Sequence, residues 1–519
     1  MPLKYKAQGE NNMKYLIGID IGTSGTKTAL FSQDGKLVAA HTVEYPLYQP
    51  QNGYAEQEPD DWWNAALTGL KKVVADSGVN KDDIAGIGLS GQMHGLVMLD
   101  KDGKVLRKSI IWCDQRTAKE CEEITEKVGL DKLMAITASP ALTGFTASKI
   151  LWVRNNEPEI YAQCAHILLP KDYVRYRLTG EFATDVSDAS GMQLLDIKNR
   201  DWSDEVLELL DIKKEWLAKV YESVEVSGRV TEEIAAETGL PAGIPVAAGA
   251  GDNAAAAIGC GVVKEGTAFA TLGTSGVVFA HTDDMQVDPK GRVHTFCSAV
   301  PGAWHVMGVH QAACLSLKWF KNTCCDAEVI EADKRGIDVY RLLDEIAQEV
   351  PIGANRLLYL PYLMGERTPH LDPNARGVFF GLSAMHERKD MLRAVMEGVV
   401  YALRDSIDIF NNLGVKIDSM YACGGGSKSE FWRQMLADVF DCTVNTCASD
   451  QGGALGAALL ASVAAGVYPT IQEACGATIF SASSMDARAD VHAQYEPFYQ
   501  LYKDLYAPMA DNFKRLANL

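Results

Sequence analysis

The tetrapeptide Gly-Thr-Ser-Gly occurs twice in this chain, at Gly22–Gly25 and at Gly273–Gly276. Each copy sits between β-rich runs: YLIGIDI and TKTALF around the first, AFATL and VVFA around the second. Two short strands joined by a Gly/Ser/Thr turn form a hairpin whose backbone N–H groups and hydroxyls can hold an anion. Glycine permits the positive φ such a turn needs and lets backbone approach a phosphate closely. Two such hairpins half a chain apart point to two similar halves gripping one polyphosphate. Their flanks differ in one respect. Asp20 stands two positions before the first turn, where the second has Thr271. Repetition alone gives no reason for an acid there, whereas a carboxylate beside a phosphate turn can hold Mg²⁺, directly or through water. The plainer alternative is that Asp20 satisfies turn amides.

At 519 residues the chain exceeds one typical core, so two or three domains are expected. Its net charge of −19 argues against a general nucleic-acid or anionic-membrane binder. The 12 cysteines are scattered without a C-x-x-C pair, which predicts reduced thiols in a cytoplasmic protein, with neither a disulfide framework nor a cysteine metal site. No stretch reads as a signal peptide or a membrane span. Residues 1–12 are polar and read as a flexible extension.

Alternating strands and helices imply an α/β architecture with ligands near strand ends. A helix is expected after Asp60, with Asp60 or Asp61 as its N-cap. The strand IAGIGLSG ends in Gln92-Met93-His94, and a strand KSIIWCDQR is expected to carry Trp112, Asp114 and Arg116 at its far end. A PAGIP punctuation leads into VAAGAG, then Asp252 and a small-residue run. In the second half, the strand SMYACGGG opens a helix, and a glycine- and alanine-rich helix follows whose small residues allow close packing.

Three glycine-rich turns need separate readings. Gly22–Thr28 approaches a Walker A loop, but Thr26 stands where glycine must precede Lys27, and a strand follows where a helix should. Gly249-Ala-Gly251-Asp-Asn-Ala254 fits a dinucleotide fingerprint, yet the acid expected about 20 residues on is missing and Asp252 would repel a pyrophosphate. Gly424-Gly425-Gly426 leaves no side chain above the backbone, so a flat base or ribose can lie over it; a tight strand-to-helix turn would need only one or two glycines. Asp252 itself reads equally as a catalytic base or as a helix cap worth about 1 kcal/mol.

In combination these motifs resemble the FGGY carbohydrate kinases, of the actin and sugar-kinase ATPase superfamily. The resemblance runs from Met13 to the C-terminus through GIDIGTSGTK, GFTASKILWVRNN, LLPKDYVRYRLTGE, GDNAAAAIG, LGTSG, GVFFGL and CGGGSKSEFWRQMLAD. It implies two RNase-H-like domains around a central cleft: 13–255, the sugar and phosphate side, and 256–519, the nucleotide side with C-terminal helices. It implies ATP and Mg²⁺, and a homodimer. The stretches at 90–95, 112–116 and 365–370 are similar to those of members acting on D-xylulose, and Gln-Met-His in place of Gln-Arg-Glu disfavours glycerol. Gluconate or another sugar or polyol stays open, as does a non-catalytic actin-like ATPase.

By the same resemblance Asp252 is the base, and Met93, His94, Asp252 and Asn253 meet the sugar. Gly22, Thr23, Ser24, Gly273, Thr274 and Ser275 line the phosphates, Gly424, Gly425 and Gly426 face the adenosine, and Asp20 serves Mg²⁺. Trp112 reads as pocket wall or core, and Lys27 as phosphate ligand or surface residue.

Overall fold

The computed structural model describes residues 13–449 and 451–519, and its chain packs into two compact units. The expected extension at 1–12 lies outside the described residues. The first unit comprises the described part of Met1–Val263 with Phe296–Gly302 and Gln451–Ile479; the second comprises Lys264–Thr295, the described part of Ala303–Asp450, and Phe480–Leu519. In packing terms the division is therefore not a single cut along the sequence.

Each unit is built on a mixed sheet of the same order. In the first, Leu37–Glu44, Gly25–Ser32, Tyr15–Ile21, Ile84–Gly91 and Pro245–Ala247 lie side by side. The first three run antiparallel, and Tyr15–Ile21, Ile84–Gly91 and Pro245–Ala247 run parallel. In the second, Trp304–His310, Gly276–Thr282, Gly266–Leu272, Ile417–Cys423 and Thr443–Cys447 repeat that pattern. These are the two RNase-H-like α/β cores that the resemblance implies.

Burial explains the strands. Leu16 and Gly18 on one face and Ile17, Ile19 and Ile21 on the other are buried, as a central strand covered on both faces requires, while Leu37–Glu44 at the edge contains no buried position. The helix Pro59–Ser77 places Trp62, Trp63, Ala66, Leu70 and Val73 on the core side at helical spacing. Its N-cap is Glu58, not Asp60 or Asp61; Pro59 occupies the first helical turn, where its missing N–H costs nothing, and both aspartates fall inside that turn. The expected strand at 108–116 shortens to Ser109–Ile110, because Asp114 turns back to accept the Ala55 N–H at 2.6 Å.

The glycine- and alanine-rich helix, Gly452–Ala464, belongs to the first unit. A Cβ on Gly18 or Gly88 would overlap the carbonyl oxygens of Ala454 or Ala457, so this helix lies directly on the two central strands. A Cβ on Gly456 or Gly259 would likewise overlap Ala255 or Gly452, so it also crosses the helix Asp252–Gly259 at backbone distance.

Candidate active site

The first Gly-Thr-Ser-Gly turn joins the central strand Tyr15–Ile21 to its antiparallel neighbour, at the end of the sheet where the parallel strands finish. That is where α/β sheets bind ligands. Side chains hold its carbonyls from behind: Tyr45 Oη donates to Gly22 O at 2.5 Å and Gln57 Nε2 to Thr23 O at 2.7 Å. Gln57 is fixed in turn by Gln92 Nε2 at 2.7 Å and Trp62 Nε1 at 3.2 Å. The amides of Thr23 and Ser24 donate to no partner among the described residues, which leaves them for an anion.

Asp20 lies one position before the strand end and pairs in register with Ser90, whose hydroxyl donates to Oδ1 at 2.8 Å. Its other oxygen lies over the start of the small-residue helix: a Cβ on Gly453 would stand 2.9 Å from Oδ2. A helix N-terminus favours a carboxylate. Burial nonetheless pushes the Asp20 carboxyl up, against the Ser90 hydrogen bond and the charge of Lys27, which sits cross-strand opposite. Lys27 thus faces Asp20 across the hairpin.

Asp252 opens the helix Asp252–Gly259, with Gly251 as N-cap. Its Oδ1 accepts the Asn253 backbone N–H at 2.7 Å and the Asn253 side-chain amide at 2.9 Å, while Oδ2 has no partner among the described residues. Burial first, then the negative charge of Asp20, push the Asp252 carboxyl up to about 7, against the Asn253 hydrogen bonds. Two acids with raised carboxyls that feel each other, beside a phosphate-type turn, are a functional signature more than a structural economy.

Met93 and His94 follow directly on the strand Ile84–Gly91. Met93 is buried against Gly251, where a Cβ would lie 2.9 Å from Met93 Cγ. That packing accounts for Gly251, and Gly249 has φ +80 with its Cα against Leu89, so neither glycine of the dinucleotide-like fingerprint needs a pyrophosphate. His94 Nδ1 lies 2.8 Å from Gly191 O. A carbonyl only accepts, so the neutral ring carries its proton on Nδ1 and presents Nε2 as an acceptor.

Trp112 is not a core residue: it is 44% exposed, and its Nε1 donates to Thr23 Oγ1 in the first turn at 2.9 Å.

In the second unit, Gly273–Gly276 occupies the equivalent turn. Here main-chain amides tie the carbonyls: Cys314 N–H donates to Gly273 O at 2.8 Å and Ala313 N–H to Thr274 O at 3.0 Å, at the start of the helix Cys314–Cys324. Thr274 and Ser275 are exposed. The three glycines after Ile417–Cys423 divide. Gly424 has φ +83 and backs onto Leu272 O, and a Cβ on Gly426 would stand 2.8 Å from Cys314 Sγ. Only Gly425 faces open space.

Residues with no clear mark in the sequence complete the first unit's site. Tyr45 is an ordinary polar residue in a loop, and Gln57 one in the two-residue strand Glu56–Gln57. A fully buried ionic cluster supports the Asp252 segment: Lys171 Nζ reaches Asp172 at 2.6 Å, Asp185 at 2.8 Å and Asp188 at 3.1 Å. Ser187 Oγ donates to Asp185 at 2.6 Å and accepts the Gly251 N–H at 3.2 Å. The LLPKDYVRYRLTGE motif was the available clue to it.

The family model for the FGGY family of carbohydrate kinases, N-terminal domain, matches residues 15–259, and that for the C-terminal domain matches residues 268–465. The chain belongs to the FGGY family of carbohydrate kinases. It is 42% identical to the xylulose kinase of Bacillus subtilis (strain 168) over 96% of this chain and 98% of the relative. Among solved structures it resembles a gluconate kinase from Lactobacillus acidophilus, with a TM-score of 0.91 at 29% identity over 97% of this chain and 100% of that one. A ligand-bound xylulose kinase from Lactobacillus acidophilus gives a TM-score of 0.90 at 29% identity, with the same coverage. Backbone shape thus does not separate these two activities. No helix among the described residues is long and apolar enough to cross a membrane.

Proposed function

We propose that this chain phosphorylates D-xylulose with ATP, giving D-xylulose 5-phosphate and ADP. The observation that carries the reading is the Asp252 carboxyl, its Oδ1 held by Asn253 and its pKa raised to about 7 beside Asp20, directly after the Gly251 that packs against Met93. A general base works best with a pKa near the working pH, and an ordinary aspartate near 3.9 would be a weak one. Similarity to xylulose kinases at about 40% identity supports D-xylulose over gluconate.

In this mechanism His94 Nε2 accepts a hydrogen bond from a sugar hydroxyl, Met93 shapes the wall against a C–H face, and Asn253 holds Asp252 by Oδ1. Asp252 Oδ2 then takes the proton as the sugar oxygen forms its bond to the γ-phosphorus and the bond to ADP breaks. The transition state is loose and the proton leaves late, so orientation and charge neutralisation supply most of the acceleration. Gly22, Thr23, Ser24, Gly273, Thr274 and Ser275 offer amides and hydroxyls to the phosphates, and Gly425, between Gly424 and Gly426, lies against the adenosine.

Among the described residues no three His, Cys, Asp or Glu side chains gather as a metal cage. Mg²⁺ does not need one: it binds through one or two carboxylates with substrate phosphates and water, and Asp20 with its uncapped Oδ2 fits. When bound, it supplies positive charge to the transferring phosphoryl group. We further propose a cytoplasmic homodimer, which sedimentation of the purified chain checks. ADP release across D-xylulose, D-gluconate and glycerol tests the substrate: stimulation by D-xylulose at least tenfold above the others is expected. Equal or greater stimulation by gluconate would reassign the sugar, and turnover indifferent to any sugar would favour a non-catalytic actin-like ATPase.

A further inference from the structure

The GFTASKILWVRNN segment takes no part in the steps above, yet it contains a physically expensive residue. Lys149 is fully buried and forms no ion pair among the described residues. Its ammonium donates to the carbonyls of His94 at 2.8 Å and Gly144 at 2.7 Å. Burial pulls its pKa down to about 7, partly offset by the charge of Asp114. A methionine would fill similar space with none of that desolvation cost.

The partner of the ammonium gives the reason. His94 has φ 70, in the left-handed region that a residue with a Cβ rarely adopts. Its carbonyl accepts from Thr146 Oγ1 at 3.1 Å as well as from Lys149. Both donors lie in the first turn of the helix Thr146–Asn156, and Phe145 just before it packs against the imidazole with ring centroids 4.9 Å apart. One short segment therefore grips His94 by its main-chain oxygen and by its ring, while Gly191 O fixes Nδ1. The same ammonium ties down Gly144, where a Cβ would stand 3.2 Å from Trp112 O.

We propose that Lys149, with Thr146, is a positioning residue for sugar recognition: it holds the His94 backbone in its left-handed conformation so that Nε2 addresses the substrate. This rests on the reading of His94 as a sugar ligand.

The test compares His94→Ala, Lys149→Met, Thr146→Val and the His94→Ala/Lys149→Met double variant, with D-xylulose and ATP varied separately. Lys149→Met is expected to raise the sugar KM at least tenfold with the ATP KM within twofold, and Thr146→Val to raise it about threefold. The double variant should show a sugar KM no higher than His94→Ala alone, because the lysine acts through the histidine. A sugar KM unchanged by Lys149→Met, or effects that multiply in the double variant, would overturn the proposal while leaving His94 in place. An unchanged sugar KM in His94→Ala overturns the reading of His94, and this proposal with it. Should Lys149→Met not accumulate as folded protein, Thr146→Val and its double with His94→Ala decide by the same criteria.

Discussion

The two units present the same tetrapeptide at the same place on sheets of the same order, and they support it differently. In the first, side chains from elsewhere in the chain (Tyr45 in a loop, Gln57 in a short strand) reach the turn's carbonyls; in the second, backbone amides at a helix start do so. The neighbouring parallel strand shows the same divergence. Ile21 pairs with Gly91, just before Gln92-Met93-His94, whereas Thr271 pairs with Cys423, just before three glycines. One topological position therefore carries side chains with hydrogen-bonding chemistry in one unit and bare backbone in the other. On the proposed reading, the shared part of the fold is the anion-binding part, and the divergent part is what assigns sugar to one unit and nucleotide to the other.

The sharpest way to break that comparison is to remove what only one unit has. Asp252→Asn is expected to lower kcat roughly a thousandfold, within the range for a general base, while sugar binding by calorimetry stays measurable. Turnover near wild type would remove Asp252 from its role. Asp20→Ala comes next: a loss of about a hundredfold in kcat/KM for ATP is expected, with the Mg²⁺ requirement altered, and an unchanged Mg²⁺ dependence would count against the assignment. Gln57→Ala releases the Thr23 carbonyl and should raise the ATP KM about tenfold, as loss of one buried hydrogen bond of about 1 to 1.5 kcal/mol implies. Cys314→Ala should leave the ATP KM within twofold, because the Cys314 amide that holds the Gly273 carbonyl survives the change and the thiol donates only weakly, to Leu272 O just before the turn. Equal responses from the two turns would erase the distinction.

Titration gives the smallest and most diagnostic effect. The folded Asp252 carboxyl titrates near 7, above its unfolded value of 3.8, so the stabilisation from its protonated form is complete below about 4 and lost as pH rises through 7. At pH 8 the ionised group costs the fold up to roughly 4 kcal/mol, less what its partial exposure returns. Asp252→Asn should therefore raise the Tm at pH 8 by a few degrees in the absence of nucleotide and Mg²⁺, and hardly at pH 4.5. The wild-type kcat/KM for sugar should fall about tenfold per unit below pH 7, where the base carries its proton.

Much of this was legible in the sequence. The paired turns, the asymmetric Asp20, the strand leading to Met93 and His94, and Asp252 at a helix start all follow from local patterns of glycine, polarity and β-branched residues. What local patterns could not convey was who meets whom. The glycines and alanines of 452–464 announce a close approach, but not that Gly18, Gly88 and Gly259 are the residues approached. Gly424 and Gly426 read as parts of a nucleoside platform, but nothing in the sequence signals that they also pack against Leu272 and Cys314. Lys149 carried no mark of its role, because the strained residue it braces lies 55 positions away.

The helix that lies on Gly18 and Gly88, Gly452–Ala464, comes long after both strands in the chain. A ribosome that has made the first 263 residues has produced a sheet whose central strands still lack their cover. The earliest strands must therefore wait, incompletely folded, until residues 452–464 emerge, and a fragment ending at Val263 should not persist as a native domain.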